Sequence, residues 1–206
     1  MNGFVNGFYN FSVWITRLAY VNLLWVAFTI LGLGILGLFP ATAAMFAVVR
    51  KWMMEDEDIP IFKTFWKSYR IEFKKANVVG YILLLIGYVL FAELQILWAQ
   101  ENTVYFVASF GVLAIFFIYF IILLYLFPIF VHFNLKTFQY IKWPAIIGII
   151  HPLLTIVLGV GILFIHYLTF VTLPALLFFF GGSVTAYILM WGASKTFSKY
   201  EQAETA

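Results

Sequence analysis

The residue types that most often carry chemistry are few in this 206-residue sequence and lie far apart. The chain has three histidines and no cysteine, so thiolate catalysis, thiolate metal sites and disulfides are excluded. His151 and His166 would lie more than about 20 Å apart on one helix, which is too far to share a metal ion. His132 stands on a different apolar run. We therefore expect no metal, no cofactor and no catalytic set.

Three polar residues inside apolar runs are the candidate intramembrane sites. Asn22 suits an interhelical hydrogen bond. Glu93 is the one carboxylate within an apolar run and lies near the outer end of its span, where it is either hydrated or binds a polar ligand from outside. His151 precedes Pro152, which frees the carbonyl of Gly148. That pattern indicates a kink satisfied within a bundle, with a proton relay as the alternative.

Composition places these residues in a membrane. The chain is 65% hydrophobic and 10% charged, whereas soluble domains average about 25% charged residues. The apolar runs are continuous and about 20 residues long, which predicts helices rather than a barrel. A net charge of +3 in such a protein reflects basic cytoplasmic loops, so we expect no nucleic-acid partner. The fold class is therefore an all-α polytopic bundle, residues 1–206 forming one membrane domain.

The first 54 residues predict an interfacial segment and a helical hairpin. Residues 1–16 carry no charge, and aromatic and aliphatic residues recur in them at helical spacing, which favours a short helix on the membrane surface. The hairpin, residues 17–54, holds 32 uncharged residues between Arg17 and Arg50, too many for one crossing and too few for two full ones. We expect a break near Gly34-Pro40 and a second limb, Pro40 to Met54, of only about 20 Å. Whether that limb reaches the outer face stays open.

The polar interval from Arg50 to Ala76 carries seven of the twelve basic residues, which places it in the cytoplasm. An acidic run, residues 55–58, suits the start of a helix. Residues 60–76 predict an amphipathic helix along the membrane face, which either binds anionic lipid or docks another protein. The predicted docking residues, from the hairpin end and this helix, are Arg50, Lys51, Trp52, Lys63, Phe65, Trp66, Lys67, Tyr69, Arg70, Phe73 and Lys74.

Four further spans complete the predicted topology. They are residues 77–99, 104–133, 144–167 and 170–191, and residues 192–206 form a cytoplasmic tail. With both hairpin limbs counted there are six membrane segments. All twelve Lys and Arg residues then lie inside and both termini are cytoplasmic.

The first third of the chain resembles the YesL-like family of bacterial membrane proteins, a domain family of unknown function. The resemblance rests on Asn22-Leu23-Leu24-Trp25, Pro40-Ala41-Thr42-Ala43-Ala44-Met45-Phe46, Val49-Arg50-Lys51-Trp52 and the aromatic spacing from Phe62 to Phe73. It implies a bacterial inner-membrane location. Genes of this family tend to neighbour those for ABC-type sugar uptake, so it also implies an accessory role there. It supplies no catalytic residue.

Together these observations predict a non-enzymatic membrane accessory or subunit of an ABC-type sugar or oligosaccharide uptake system. Its expected partners are membrane lipid and either the transporter's membrane subunits or further copies of the chain. The alternative is a self-sufficient small oligomeric transporter or channel with Glu93 or His151 on the solute path. An intramembrane enzyme ranks third, because the serine, histidine and carboxylate residues form no familiar motif.

Overall fold

The computed structural model of the chain describes residues 2–54 and 58–204, and their side chains over 6–54 and 58–197. The predicted acidic helix start therefore lies largely outside the described residues. In chain order the helices are α1 Asn2–Leu31, α2 Ile35–Met54, α3 Ile61–Trp98, α4 Thr103–His132, α5 Gln139–Ile150, α6 Pro152–Thr172 and α7 Ala175–Glu204. Within the described ranges, all of these but α5 contain a stretch long and apolar enough to cross a membrane. The prediction of a helical bundle with six membrane segments is confirmed.

Helix α2 is the centre of the bundle. It packs against α1, α3, α4 and α7, and its residues are buried on nearly every side. Ala41, Ala43 and Ala44 are each fully buried, and such small side chains let neighbouring membrane helices approach closely. The second hairpin limb is thus a core element.

The α1–α2 turn lies at the Gly34 end of the predicted Gly34–Pro40 break, so the second limb begins earlier than the sequence predicted. Leu33 and Gly34 have positive φ angles of 58° and 74°, and they reverse the chain directly after Leu31. Glycine adopts this region without strain, which accounts for Gly34. Pro40, which was expected to begin the second limb, lies inside α2 instead. The second limb therefore has 20 residues, about 30 Å, rather than about 20 Å.

Pro40 is tolerated in α2 because a neighbouring helix supplies the missing donor. Proline has no N–H group, so the carbonyl four residues earlier, that of Leu36, loses its helical partner. The Asn77 side chain of α3 donates from Nδ2 to this carbonyl at 3.0 Å. The same Nδ2 donates to the carbonyl of Phe73 at 2.9 Å. One amide thus stabilises two helices.

The boundary predicted between residues 76 and 77 is absent, since α3 runs unbroken from Ile61 to Trp98. The change from basic to apolar sequence alters the environment of the helix but includes no residue that ends one. The N-terminal and C-terminal segments differ from the predicted boundaries in the same way. Residues 2–16 continue into the rest of α1, and residues 192–204 continue α7. Over the described residues the N-terminal segment is thus not a separate helix, and the predicted tail is helical.

The span predicted at 144–167 is divided into two helices. Pro144 lies within α5 rather than at its start, and the chain breaks at His151, whose φ and ψ are −113° and 61°. Pro152 then occupies the first turn of α6. The Gly148 carbonyl, which Pro152 leaves without its helical donor, accepts the Thr155 hydroxyl at 2.8 Å. The predicted kink is present, with its carbonyl satisfied inside the bundle.

Contacts between distant segments bring together the ends that the sequence assigns to one side of the membrane. They are Trp14 with Trp52, Arg17 with Asp58, Arg50 with His132, Lys75 with Asn134 and Tyr140, and His132 with Phe197. Residues of α1, α2, α3, α4 and α7 that the sequence assigns to the same side of the membrane are thus neighbours. This arrangement is the one that the positive-inside rule predicts for a single membrane face.

Candidate functional site

Four basic side chains form a row along the exposed side of the first turns of α3. Lys63, Lys67, Arg70 and Lys74 recur every three or four residues and all are exposed. Trp66 is 41% exposed in the same row, and the Arg70 guanidinium carbon lies 5.6 Å from the centre of its ring. We call these five residues the basic ridge. They are the exposed members of the predicted docking set on α3.

The opposite side of the same turns holds α3 to the hairpin. Phe65 is fully buried, and its ring lies 5.2 Å from that of Phe28. The Tyr69 hydroxyl donates to the Phe28 carbonyl at 3.3 Å. Phe73 is half-buried and contacts Tyr69 edge to face. These three aromatic residues, which the sequence placed in the docking set, therefore pack inside the protein and fix the orientation of the basic ridge.

The hairpin members of the predicted docking set lie at the charged end of α2. Trp52 is 5% exposed and packs edge to face on Trp14. Arg50 donates from Nε to Nδ1 of His132 at 3.2 Å. Lys51 is half-buried beside them. These residues join α2 to α1 and α4 and present little free surface.

Asn22 forms a bridge between the first and the last helix. Its side chain donates from Nδ2 to the Phe178 carbonyl at 2.7 Å and accepts the Ser183 N–H at 2.9 Å. A Cβ atom on Gly182 would lie 2.9 Å from the Asn22 oxygen, so glycine there allows the close approach. Asn22 is 1% exposed. Both ends of its amide are satisfied by protein, which is the packing role that the sequence favoured.

Glu93 faces away from the bundle. It is exposed, whereas its neighbours Leu90 and Leu94 turn inward onto Val112 of α4. The structure places Asn22, Glu93 and His151 in three different surroundings, on α1, α3 and the α5–α6 break. It does not bring them together into one site.

A buried hydroxyl pair at the α5–α6 break was missed by the sequence reasoning. The Tyr125 hydroxyl lies 3.0 Å from that of Thr155, which also contacts the carbonyls of Gly148 and His151 at 2.8 Å and 3.0 Å. Since both carbonyls only accept, Tyr125 donates to Thr155 and Thr155 donates onward. The available signal was a threonine three residues after a proline. The His151 Nε2 atom is buried there without a hydrogen-bond partner in the described part of the chain.

Metal-binding chemistry has no support in the part of the chain that the structure describes. There, no group of three or more histidine, aspartate or glutamate side chains is close enough to hold an ion. The arrangement is thus a helical membrane bundle whose polar side chains mostly satisfy backbone groups, with a basic ridge at its positively charged end.

These features define a polytopic helical membrane protein, and comparison with known proteins places it further. A family model described as "Protein of unknown function, DUF624" matches residues 18–94. Over 93% of its length the chain is 35% identical to an uncharacterized protein, YteU of Bacillus subtilis (strain 168), and covers 86% of that relative. It is 36% identical to YesV, with 91% and 89% covered, and 33% identical to YesL, with 97% and 93% covered, both uncharacterized proteins of the same strain.

The chain therefore belongs to the DUF624 family, the YesL-like family of bacterial membrane proteins. The resemblance drawn from its motifs is confirmed. No solved structure matches the chain.

Proposed function

We propose that this protein is a non-enzymatic accessory subunit of an ABC-type sugar or oligosaccharide importer in the bacterial cell membrane. Both termini lie in the cytoplasm, and the basic ridge docks onto an acidic cytoplasmic surface of the importer. The kind of importer follows from the family resemblance alone, whereas the docking surface follows from the geometry of α3.

The observation that carries the docking proposal is the division of α3 into a held side and an exposed side. Phe65 and Tyr69 fix the helix against Phe28, so the ridge is presented in one orientation. A fixed surface loses little conformational entropy when a partner binds. Trp66 adds a half-exposed indole among the charges, and tryptophan is enriched among the residues that dominate binding energy at interfaces.

Charge reversal tests this role directly. We expect the Lys67→Glu, Arg70→Glu double variant to lose importer subunits on affinity purification from native membranes in mild detergent, by about tenfold or more, the ratio that about 1.4 kcal/mol produces. The matched control is Lys136→Glu, Lys142→Glu, which makes the same charge change at two exposed lysines of the α4–α5 region. Equal recovery of importer subunits with both variants would contradict the proposal.

Anionic lipid is the competing partner for the ridge, and the same variants separate the two. Each exposed lysine or arginine near an anionic surface contributes about 1 kcal/mol. If the ridge serves lipid alone, both double variants lose phosphatidylglycerol to a similar extent and neither loses a protein. If the wild-type chain purifies alone as a homo-oligomer and carries solute across liposomes, the accessory proposal is wrong and the transporter alternative replaces it.

A further inference from the structure

The α1–α2 turn is an exposed surface that the proposed function does not use. From Ile30 to Phe39 the sequence reads ILGLGILGLF and contains no polar side chain. Ile30, Leu31, Leu33 and Ile35 are exposed by 67%, 73%, 81% and 70%. The α3–α4 turn is its opposite, since it reads Gln-Glu-Asn at residues 100–102. The α3–α4 turn suits water, whereas the α1–α2 turn presents apolar side chains. We call residues 30–39 the apolar tip.

The backbone of the apolar tip is satisfied from within the protein. The amides of Gly32, Leu33, Gly34, Ile35 and Leu38 each donate to a carbonyl of the hairpin, at 2.8 to 3.1 Å. A turn exposed to water has no need of this, because water supplies partners. In hydrocarbon it is essential, because non-helical backbone is tolerated at membrane depth only where its polar groups are paired.

Three side chains of α3 complete this pairing. The hydroxyls of Tyr69 and Tyr81 donate to the carbonyls of Phe28 and Ile35, and Asn77 donates to that of Leu36. The tip thus combines apolar side chains on the outside with paired backbone groups on the inside. The first property matches lipid chains, and the second removes the main cost of placing a turn among them.

The position of these donors along α3 agrees with a turn that stays inside the bilayer. Tyr81 is the last of them, and α3 continues for 17 residues beyond it, about 26 Å, before reaching Trp98. From these observations we propose that the α1–α2 turn lies in the hydrocarbon of the bilayer, in contact with lipid acyl chains, and does not emerge into water. Helices α1 and α2 then form a re-entrant hairpin that enters and leaves on the same side.

The cysteine-free sequence allows a clean test of depth. Single cysteines are introduced at Leu33 and, as a second tip position, Ile35, and each purified variant is labelled with a nitroxide and placed in liposomes. Glu101→Cys and Lys67→Cys are the water-exposed controls. Collision of the label with oxygen, which concentrates in hydrocarbon, is compared with collision with a water-soluble nickel chelate by electron paramagnetic resonance.

We expect both tip labels to collide with oxygen severalfold more, and with the nickel chelate severalfold less, than the two control labels. Nickel collision at the tip as frequent as at position 101 would place the turn in water and overturn the proposal. Low collision with both reagents would mean that protein, such as a second copy of the chain, covers the tip, and would also overturn it. Importer subunits are absent from these liposomes, so the result is independent of the docking proposal.

Discussion

Because the Asn77 side chain on α3 compensates for Pro40 on α2, the stability lost when Asn77 is substituted should depend on which residue occupies position 40. In Asn77→Leu the side chain keeps its approximate size but loses the donor for the Leu36 carbonyl, which lies 3.0 Å from Nδ2. Asn77 is 7% exposed, so water does not readily replace it. We expect this variant to be less stable than the wild type.

The magnitude follows from the groups involved. A buried polar group left without a partner costs about 1–3 kcal/mol, and interhelical hydrogen bonds in membrane proteins average about 0.6 kcal/mol with a maximum near 1.7. The substitution also removes the Asn77 Oδ1 atom, which is buried without a partner in the described part of the chain, and this offsets part of the loss. A net loss of about 1 kcal/mol in the free energy of unfolding is the expected result.

Restoring the missing N–H should abolish the effect. In Pro40→Ala the backbone N–H of residue 40 can donate to the Leu36 carbonyl. Adding Asn77→Leu to this variant should therefore leave the free energy of unfolding unchanged to within about 0.5 kcal/mol, the error with which independent sites add. The cycle is measured by reversible unfolding in mixed micelles of mild detergent and sodium dodecyl sulfate, followed by circular dichroism.

The matched control for this cycle is Tyr81→Phe. It removes a hydroxyl that donates to the carbonyl of Ile35, five residues before Pro40, which is not the carbonyl that proline frees. Its cost should be the same with Pro40 or alanine at that position. An Asn77→Leu cost that is equal in both backgrounds would refute the reasoning, because Asn77 would then act independently of the proline.

Four further substitutions have expected outcomes in the same unfolding assay. Thr155→Val keeps the shape of the side chain but removes the donor for the Gly148 carbonyl, and should lose about 1–2 kcal/mol; a neutral result would mean that water replaces the hydroxyl. Gly182→Val forces a Cβ to within 2.9 Å of the nearest side-chain oxygen and should lose about 1–3 kcal/mol, whereas Gly111→Ala, with open space around it, should stay within about 0.5. Glu93→Gln should also stay within about 0.5 kcal/mol, because the side chain is exposed; a large loss would show that it has a buried partner.

The sequence predicted the hairpin but not the start of its second limb, for a reason that lies outside the hairpin. An uncharged run too long for one crossing demands a reversal, and glycines offer several places for it. Pro40 looked like the start of a helix because a proline inside one normally costs about 3 kcal/mol. The compensating donor, Asn77, is 37 residues further along the chain. Local rules cannot weigh a partner that only the tertiary structure supplies.

The candidate docking surface shows a similar limit. Periodicity identified an aromatic stripe and a basic stripe on one helix, and both are present in α3. It could not tell which aromatic residues face protein, because Phe65 and Trp66 are neighbours in sequence and belong to equally apolar types. The structure separates them, with Phe65 fully buried and Trp66 41% exposed. Both rings contact Phe28, at 5.2 and 5.4 Å between ring centroids, so the difference lies in how the neighbouring helices enclose each side chain.

The Asn22 bridge links the order of synthesis to the completion of the fold. Its partner carbonyl belongs to Phe178, 156 residues later in the chain, so the asparagine enters the membrane long before its acceptor exists. Until α7 arrives, a polar amide inside the first helix has no permanent partner, and apolar surroundings penalise it. The last helix therefore completes the hydrogen bonding of the first. A chain truncated before α7 would retain an unmatched amide in its first helix, which gives the cell a chemical mark by which unfinished copies differ from finished ones.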